Sequence, residues 1–537
     1  MVPCGIFKWV FSSCSPNKVS WGQWGVAIFS PAKRTLNVLM FSPQMRRLTK
    51  TRANKTQLII FSTLFFLSFN FLLLFRHREP PSANAPPPAL PHLKPWPELP
   101  FLFPWSHNTN RRHGDCESYF GNGFNRRIDA LRRSSNESSS WFRCFYNDAW
   151  RSSVCEVGGL WVMPQKIKMS RGGEGIHEVM GRREEEELPL FGDGSVKLVG
   201  VGGLKGKLVD EAFLNNFLPS RNLESHPMRS LVGMIEMDDT GCKQFDIWVM
   251  EPTLLVTRYE YANLFHTMTD WHSAYVASRV TNLPYRPHLI FVDGHCESPL
   301  DPTWDALFSS VRYIKSFSGS VCFSHAVLVP LGYETPLFRG LTQEISCEGT
   351  TASDLSLKPN NHKTARLSEF GEMIKATFGL PLDYRHPSGP DSARNILFVR
   401  REDYLAHPRH RGKVESRLSN EEEVFVYLQK WAPDYPACKL NLVNGLFAHM
   451  PMVEQIRSIQ EASVIIGAHG AGLTHIVSAT HGTVILEIIS AYFRRPHFEL
   501  ISKWKGLEYH AVQLAGSHAE PDVVLEKLRG ILKGHGC

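Results

Sequence analysis

Val464-Ile465-Ile466-Gly467-Ala468-His469-Gly470-Ala471-Gly472-Leu473-Thr474-His475 is the stretch that decides the fold class of this chain. Its apolar start reads as a buried strand, its centre as a glycine-rich turn, and Gly472–Val477 as the start of a helix. Glycines let a backbone approach a ligand closely, and a helix N-terminus offers unpaired N–H groups to an anion. Gly467, His469, Gly470, Gly472, Leu473 and Thr474 are therefore candidate ligand contacts. The spacing is neither G-x-G-x-x-G nor a P-loop, so neither a dinucleotide nor ATP is favoured. Glu487, about one strand later, is placed to accept hydrogen bonds from a ribose.

Outward from this turn, strands and helices alternate. Asn395–Val399, Leu440–Val443, Ala462–Gly467 and Thr483–Ile489 read as strands, and Met452–Gln460 as a helix. Asn420–Gln429 reads as a helix opened by an N-cap and an acidic first turn. This alternation predicts a parallel sheet with crossovers, a doubly wound nucleotide-binding lobe over residues 386–537. A first lobe is expected over 112–385, with strand-like runs at Thr253–Thr257 and His288–Asp293. The polar stretch Asp383–Ser392 is the expected boundary, and Glu184–Glu187 reads as a solvated helix face.

Arg400 and Arg401 end the first strand of the second lobe, followed by Arg409, Arg411, Lys413 and Arg417. Ligands of open α/β sheets bind at the carboxyl ends of strands. Guanidinium groups there stabilise an anionic leaving group, as a divalent metal does elsewhere. The chain contains no D-x-D, so a metal-bound diphosphate is not expected. Tyr261–Trp271 reads as a helix start in which His266 and Asp270 share a face at i, i+4. Such a pair supplies a general base: Asp270 with His266 orienting it, or the reverse. Asp293–Cys296 reads as a tight structural turn.

Composition separates the N-terminal region from the rest. Hydrophobic residues at 43% and charged residues at 21% fit a globular chain. Nine Lys/Arg and no Asp or Glu lie in residues 1–55, so the net +7 leaves 7 − 9 = −2 for the remainder. A near-neutral body with a basic tail points to membrane orientation, not to nucleic acid. Leu58–Phe75 is 18 residues without a charge, long enough for a spanning helix within an anchor over 56–75. The basic flank leaves 1–55 cytosolic and everything beyond the span lumenal. Residues 1–44 are either a long tail or an extension upstream of Met45. The proline-rich stretch inside 76–111 predicts a semi-rigid spacer. Nine cysteines follow the span with no C-x-x-C, so some are expected to pair and at least one to stay free or intermolecular. Asn136 heads a glycosylation sequon in a polar loop.

Several blocks carry a resemblance: Cys116–Phe124 (CESYFGNGF), Trp141–Tyr146, Met169–Glu174 (MSRGGE), Glu251–His266 (EPTLLVTRYEYANLFH), Phe291–Cys296, Phe398–His407 (FVRREDYLAH), the GAHGAGLTH turn and Arg495–His510. From the spacer to Cys537 they resemble the plant N-glycan xylosyltransferase branch of glycosyltransferase family 61. The resemblance implies an α/β GT-B fold with two Rossmann-like lobes facing a cleft, and a Golgi type II anchor and stem. It implies inverting transfer of xylose from UDP-α-xylose to O2 of the core β-mannose of N-glycans, with no strict metal requirement. The family's Asn, His and Asp fall on Asn263, His266 and Asp270, its arginines on Arg401 and Arg417, and its donor turn on Gly467–His475. Between the two arginines this chain carries a longer insertion. Other readings are a relative using arabinose or N-acetylglucosamine on a different acceptor, and a non-catalytic lumenal glycan-binding protein.

Overall fold

The computed structural model describes residues 91–97, 99, 120–132, 140–199, 205–220, 226–239, 242, 246–341, 363, 365–382, 384–387, 392–401, 407–409 and 417–537. All belong to one compact unit, Pro86–Cys537. The apolar run Leu58–Phe75, the sequon at Asn136, and Arg411 and Lys413 lie outside the described residues. No described helix is long and apolar enough to cross a membrane.

A seven-stranded mixed sheet organises the first half. Its strands are β1 (Arg126–Leu131), β2 (Trp141–Asn147), β3 (Ser152–Gly158), β4 (Thr253–Val256), β5 (His288–Phe291), β6 (Ser310–Tyr313) and β7 (Ala326–Leu328). The order is β1-β2-β3-β7-β4-β5-β6. β7, β4, β5 and β6 run parallel, and β1–β3 extend the sheet antiparallel. TLLV and HLIF of β4 and β5 are buried on both faces, as parallel strands covered by helices require. A second, six-stranded sheet includes Leu160–Val162, Val196–Val199 and Val321–Phe323, and shares a core with the back of the first. Disulfides join Cys144 to Cys155 across β2 and β3, and Cys242 to Cys322 at the second sheet.

The second half is all parallel. β8 (Arg394–Val399), β9 (Leu440–Gly445), β10 (Ala462–Ala468), β11 (Val484–Ile489) and β12 (Glu508–Gln513) stand in the order β9-β8-β10-β11-β12. Helices α1 (Leu264–Val280) and α2 (Leu367–Thr377) precede this sheet, and α3 (Glu421–Trp431), α4 (Met452–Glu461), α5 (His497–Lys505) and α6 (Pro521–Gly534) follow its strands. The helix expected after the glycine turn is a 3-10 helix, Ala471–Ser478. One apolar core runs through both halves, from Leu254, Trp271 and Phe370 to Val399, Ile465, Leu473, Ile476 and Val477. A third disulfide, Cys438–Cys537, ties down the C-terminus, and Cys296 is the free, buried cysteine among the described residues.

Three local expectations change. Asn420 does not cap α3; its side chain bonds Ala519 N–H at 3.0 Å and Ala519 C=O at 2.8 Å, stitching the start of α3 to the chain before α6. Glu184–Glu186 are exposed as expected, but Glu187 is fully buried. Part of the expected spacer is docked on the first half. The Lys94 ammonium donates to the Asp305 and Phe308 carbonyls, at the C-terminus of helix Asp301–Leu307, where a cation meets unpaired C=O groups. Trp96 donates to Leu283 C=O at 2.9 Å and packs edge-on against Tyr275.

Candidate active site

The chain order of the second sheet reverses at β8, with β9 on one side and β10 on the other. Loops leaving the carboxyl ends of two such strands diverge and open a crevice between them. Arg401 follows β8, and His469 and Gly470 follow β10, so all three arrive there. The approach is close: a Cβ built on Gly470 would stand 2.4 Å from Arg401 Nη1. β11 sends Ser490–Pro496 to the same edge, where the Arg417 guanidinium stacks on the Phe493 ring at 3.2 Å.

The rest of the glycine turn packs inward. Leu473 and Thr474 are fully buried, and the Leu473 N–H is engaged by Gly470 C=O at 3.0 Å. A Cβ on Gly467 would meet Leu473 and Val399, and one on Gly472 would stand 2.9 Å from Val399 Cγ1. The turn therefore divides into a part that faces Arg401, His469–Gly470, and a packing part. Gly470 has an extended φ of 177°, so a side chain there meets no backbone strain, only Arg401. Gly470→Ala is expected to weaken ligand binding at this crevice several-fold with an unchanged melting temperature. Gly472→Ala is expected to cost about 1–3 kcal/mol of stability through overpacking. Calorimetry with UDP, the ligand that the resemblance implies, and thermal unfolding separate the two; normal UDP affinity in Gly470→Ala removes Arg401 from its binding.

Glu487, expected to accept from a ribose, has both carboxylate oxygens engaged within the protein. It is fully buried, one oxygen hydrogen-bonded by His469 Nδ1 and the other accepting from the Tyr509 hydroxyl at 2.6 Å. Residue 487 pairs with Gly467 in the sheet, which tucks its carboxylate behind the turn, where it orients the His469 ring.

A matching reversal occurs in the first sheet, where β4 has β5 on one side and β7 on the other. The N-terminus of α1 and the Gly332–Tyr333 loop lie at the carboxyl ends of β4 and β7. Asn263 is the N-cap of α1, its side chain accepting Phe265 N–H at 3.0 Å. The His266 ring lies 5.4 Å from the Tyr333 ring. Burial, aided by the Arg495 charge, pushes its imidazole down to about 4. Asp270, one turn deeper, accepts Gly332 N–H at 3.1 Å; it does not hydrogen-bond His266. A Cβ on Gly332 would stand 2.3 Å from Asp270 Oδ1, so a side chain there would displace the Asp270 carboxyl group. Burial pushes the Asp270 carboxyl well above the usual carboxylate range.

The two crevices meet at His497, the first residue of α5. Its ring lies 4.9 Å from Phe265 on one side and 4.9 Å from His469 on the other. Burial, then the charges of His469, Arg495 and His266, hold it well below the ordinary histidine value. His266, His469, His497 and Arg495 thus form one group across the cleft. Neither His497 nor Arg495 was assigned a role from sequence, although both lie in the Arg495–His510 block. Arg409 is brought elsewhere, to Glu187 in the first half, at 2.6 Å. Among the described residues, no group of three or more His, Cys, Asp or Glu is arranged to hold a metal ion.

The family model Glycosyltransferase 61 matches residues 160–486, a stretch that takes in His266, Arg401 and Gly470. The chain belongs to glycosyltransferase family 61. It is 56% identical over 459 residues to a β-1,2-xylosyltransferase of Oryza sativa subsp. japonica, covering 86% of this chain and 85% of that protein. It is 54% identical over 486 residues to the β-1,2-xylosyltransferase of Arabidopsis thaliana, covering 84% and 89%. An EGF domain-specific O-linked N-acetylglucosamine transferase of Gallus gallus is 24% identical over 288 residues, covering 51% of this chain and 46% of that protein.

Proposed function

We infer that this chain is an inverting β-1,2-xylosyltransferase that moves xylose from UDP-α-xylose to O2 of the core β-mannose of N-glycans. The observation that carries this reading is identity of 54–56% to two β-1,2-xylosyltransferases across both halves of the molecule. The acceptor O2 attacks the anomeric carbon as the bond from that carbon to the diphosphate oxygen breaks. The O2 proton passes to His266, which burial keeps neutral and able to accept it. Asp270 holds the Gly332 loop beside it. Arg401 and Arg417 receive the charge that develops on the leaving UDP, and His469, oriented by Glu487, lies between donor and acceptor halves. The two halves are the lobes of a GT-B arrangement. The apolar run Leu58–Phe75 and its basic flank support a single-pass type II anchor with a lumenal head, and the resemblance supports a Golgi location.

The test is transfer by residues 79–537, which retain the docked Lys94–Trp96, using UDP-xylose, UDP-arabinose and UDP-N-acetylglucosamine with a biantennary N-glycan. Xylose alone is expected to transfer, in β-1,2 linkage by NMR; transfer of another sugar in its place overturns the reading. EDTA is expected to leave most of the activity, because guanidinium groups take the role of a metal. A large loss on chelation, restored by Mn²⁺, removes that role from Arg401 and Arg417.

A further inference from the structure

Arg409 lies midway between Arg401 and Arg417, eight residues from each. Counted by sequence it is one more cation for the donor diphosphate. The structure gives its guanidinium other partners. Nη1 donates to Glu187 Oε2 at 2.6 Å, and Nη2 lies 3.0 Å from His407 Nε2. Pro408 C=O accepts from Gly181 N–H at 3.3 Å, and the His407 ring lies 5.1 Å from Tyr261. His407–Arg409 are thus seated on the first half, although they belong to the connection that follows β8.

The seat is rigid. Glu187 is fully buried and also accepts from His295 Nδ1 at 3.0 Å. His295 stacks on Tyr261 at 4.2 Å and places Nε2 2.8 Å from Arg258 C=O. Arg258 is fully buried in an ion pair with Asp293 at 2.9 Å and lies over the Phe291 ring at 3.5 Å. Burial pushes the Glu187 carboxyl up, but His295 and Arg409 outweigh it and hold it below the usual carboxylate range. Glu187 is therefore an anion fixed inside the first half, and Arg409 reaches it from the second.

We propose that Glu187 and Arg409 are positioning residues: their ion pair pins the midpoint of the chain between Arg401 and Arg417, and so sets where both arginines meet the donor diphosphate. Arg409 itself does not touch the donor. Order that is already present in the free protein does not have to be created when donor binds. The assignment of Arg401 and Arg417 to the donor rests on the transferase reading above.

The test measures UDP affinity by calorimetry, donor KM and kcat for xylose transfer, and melting temperature, on the full chain in detergent. The proteins are wild type, Glu187→Gln, Arg409→Gln, the double variant and Arg409→Lys. Each glutamine variant is expected to weaken UDP binding and raise donor KM about ten-fold, with kcat at saturating donor within about two-fold. The double variant is expected to be no worse than either single one, because both remove the same contact. Arg409→Lys is expected to keep part of the effect and serves as the readout should a glutamine variant not fold. Normal UDP affinity in Glu187→Gln beside a loss in Arg409→Gln would place Arg409 on the diphosphate and overturn the proposal. So would losses that multiply in the double variant, or a fall in melting temperature with UDP affinity unchanged. A wild type that binds UDP but transfers no xylose fails the transferase reading alone, since the affinity series still decides the pinning.

Discussion

His266→Ala is expected to lower kcat for xylose transfer by about 100-fold or more while UDP affinity stays near normal, and Asp270→Asn is expected to keep most of the activity. A sugar hydroxyl is a poor nucleophile at neutral pH, and general bases typically contribute about 10²–10⁴-fold. The His266 imidazole, pushed down to about 4, is neutral and able to accept a proton throughout the neutral range. Asp270 is 6% exposed, with burial favouring its uncharged form and Oδ1 bonded to Gly332 N–H. Asparagine is neutral, nearly isosteric and can accept the same hydrogen bond. The pH profile adds a second readout. With His266 as base, kcat per folded molecule falls only as pH drops through about 4. With Asp270 as base the acid limb would lie higher, since its carboxyl is raised. A 100-fold loss in Asp270→Asn beside near-normal His266→Ala reverses the assignment.

The second large effect is acid lability. His272 is 0% exposed and His475 1%, and burial pushes their imidazoles down to about 4 and about 3. His272 is enclosed by Phe120 and Phe370, and His475 Nε2 lies 2.8 Å from Gln455 Oε1. The folded state keeps both neutral, whereas the unfolded chain protonates them as pH falls below about 6.5. The unfolded state therefore binds more protons in this window, and stability falls from pH 6.5 down through the folded-state values. At about 1.4 kcal/mol per unit, the two together remove on the order of several kcal/mol, comparable with the whole stability of a typical domain. Melting temperature at pH 7, 6 and 5 should fall progressively faster, and His272→Gln or His475→Gln should flatten the curve. A melting temperature independent of pH between 6.5 and 5 rules out buried neutral histidines as the cause of acid sensitivity.

The parallel sheet of the second half was legible because NILFV, SVIIGA and TVILEII are apolar runs separated by helical periodicity, a local pattern. The six-stranded sheet was not. It pairs Leu160–Val162 with Val321–Phe323, strands of three residues whose pairing is fixed by packing across about 160 residues of chain. At the site, glycine spacing pointed to the turn, but sequence gives no sign of which glycines face the crevice and which face the core. That depends on Arg401 on one side and Val399 on the other. Glu487 looked like a free acceptor because its burial is a tertiary fact. Glu187 looked solvated because its three acidic neighbours are. His497 carries no local signature, and its role arises only where two crevices meet.

The core that runs without a break from Trp271 and Phe370 to Leu473, Ile476 and Val477 also limits how this enzyme moves. Opening the cleft as a hinge would expose these side chains to water, and each fully buried apolar side chain is worth roughly 1.5–3 kcal/mol. A handful of them makes a wide-open state too rare to serve each turnover. Adjustment on substrate binding is then left to the loop that borders the cleft at Ser490–Pro496, since His407–Arg409 are held on the first half by Glu187 and Gly181. Selection among acceptors is then expected to depend on access to the cleft more than on induced closure.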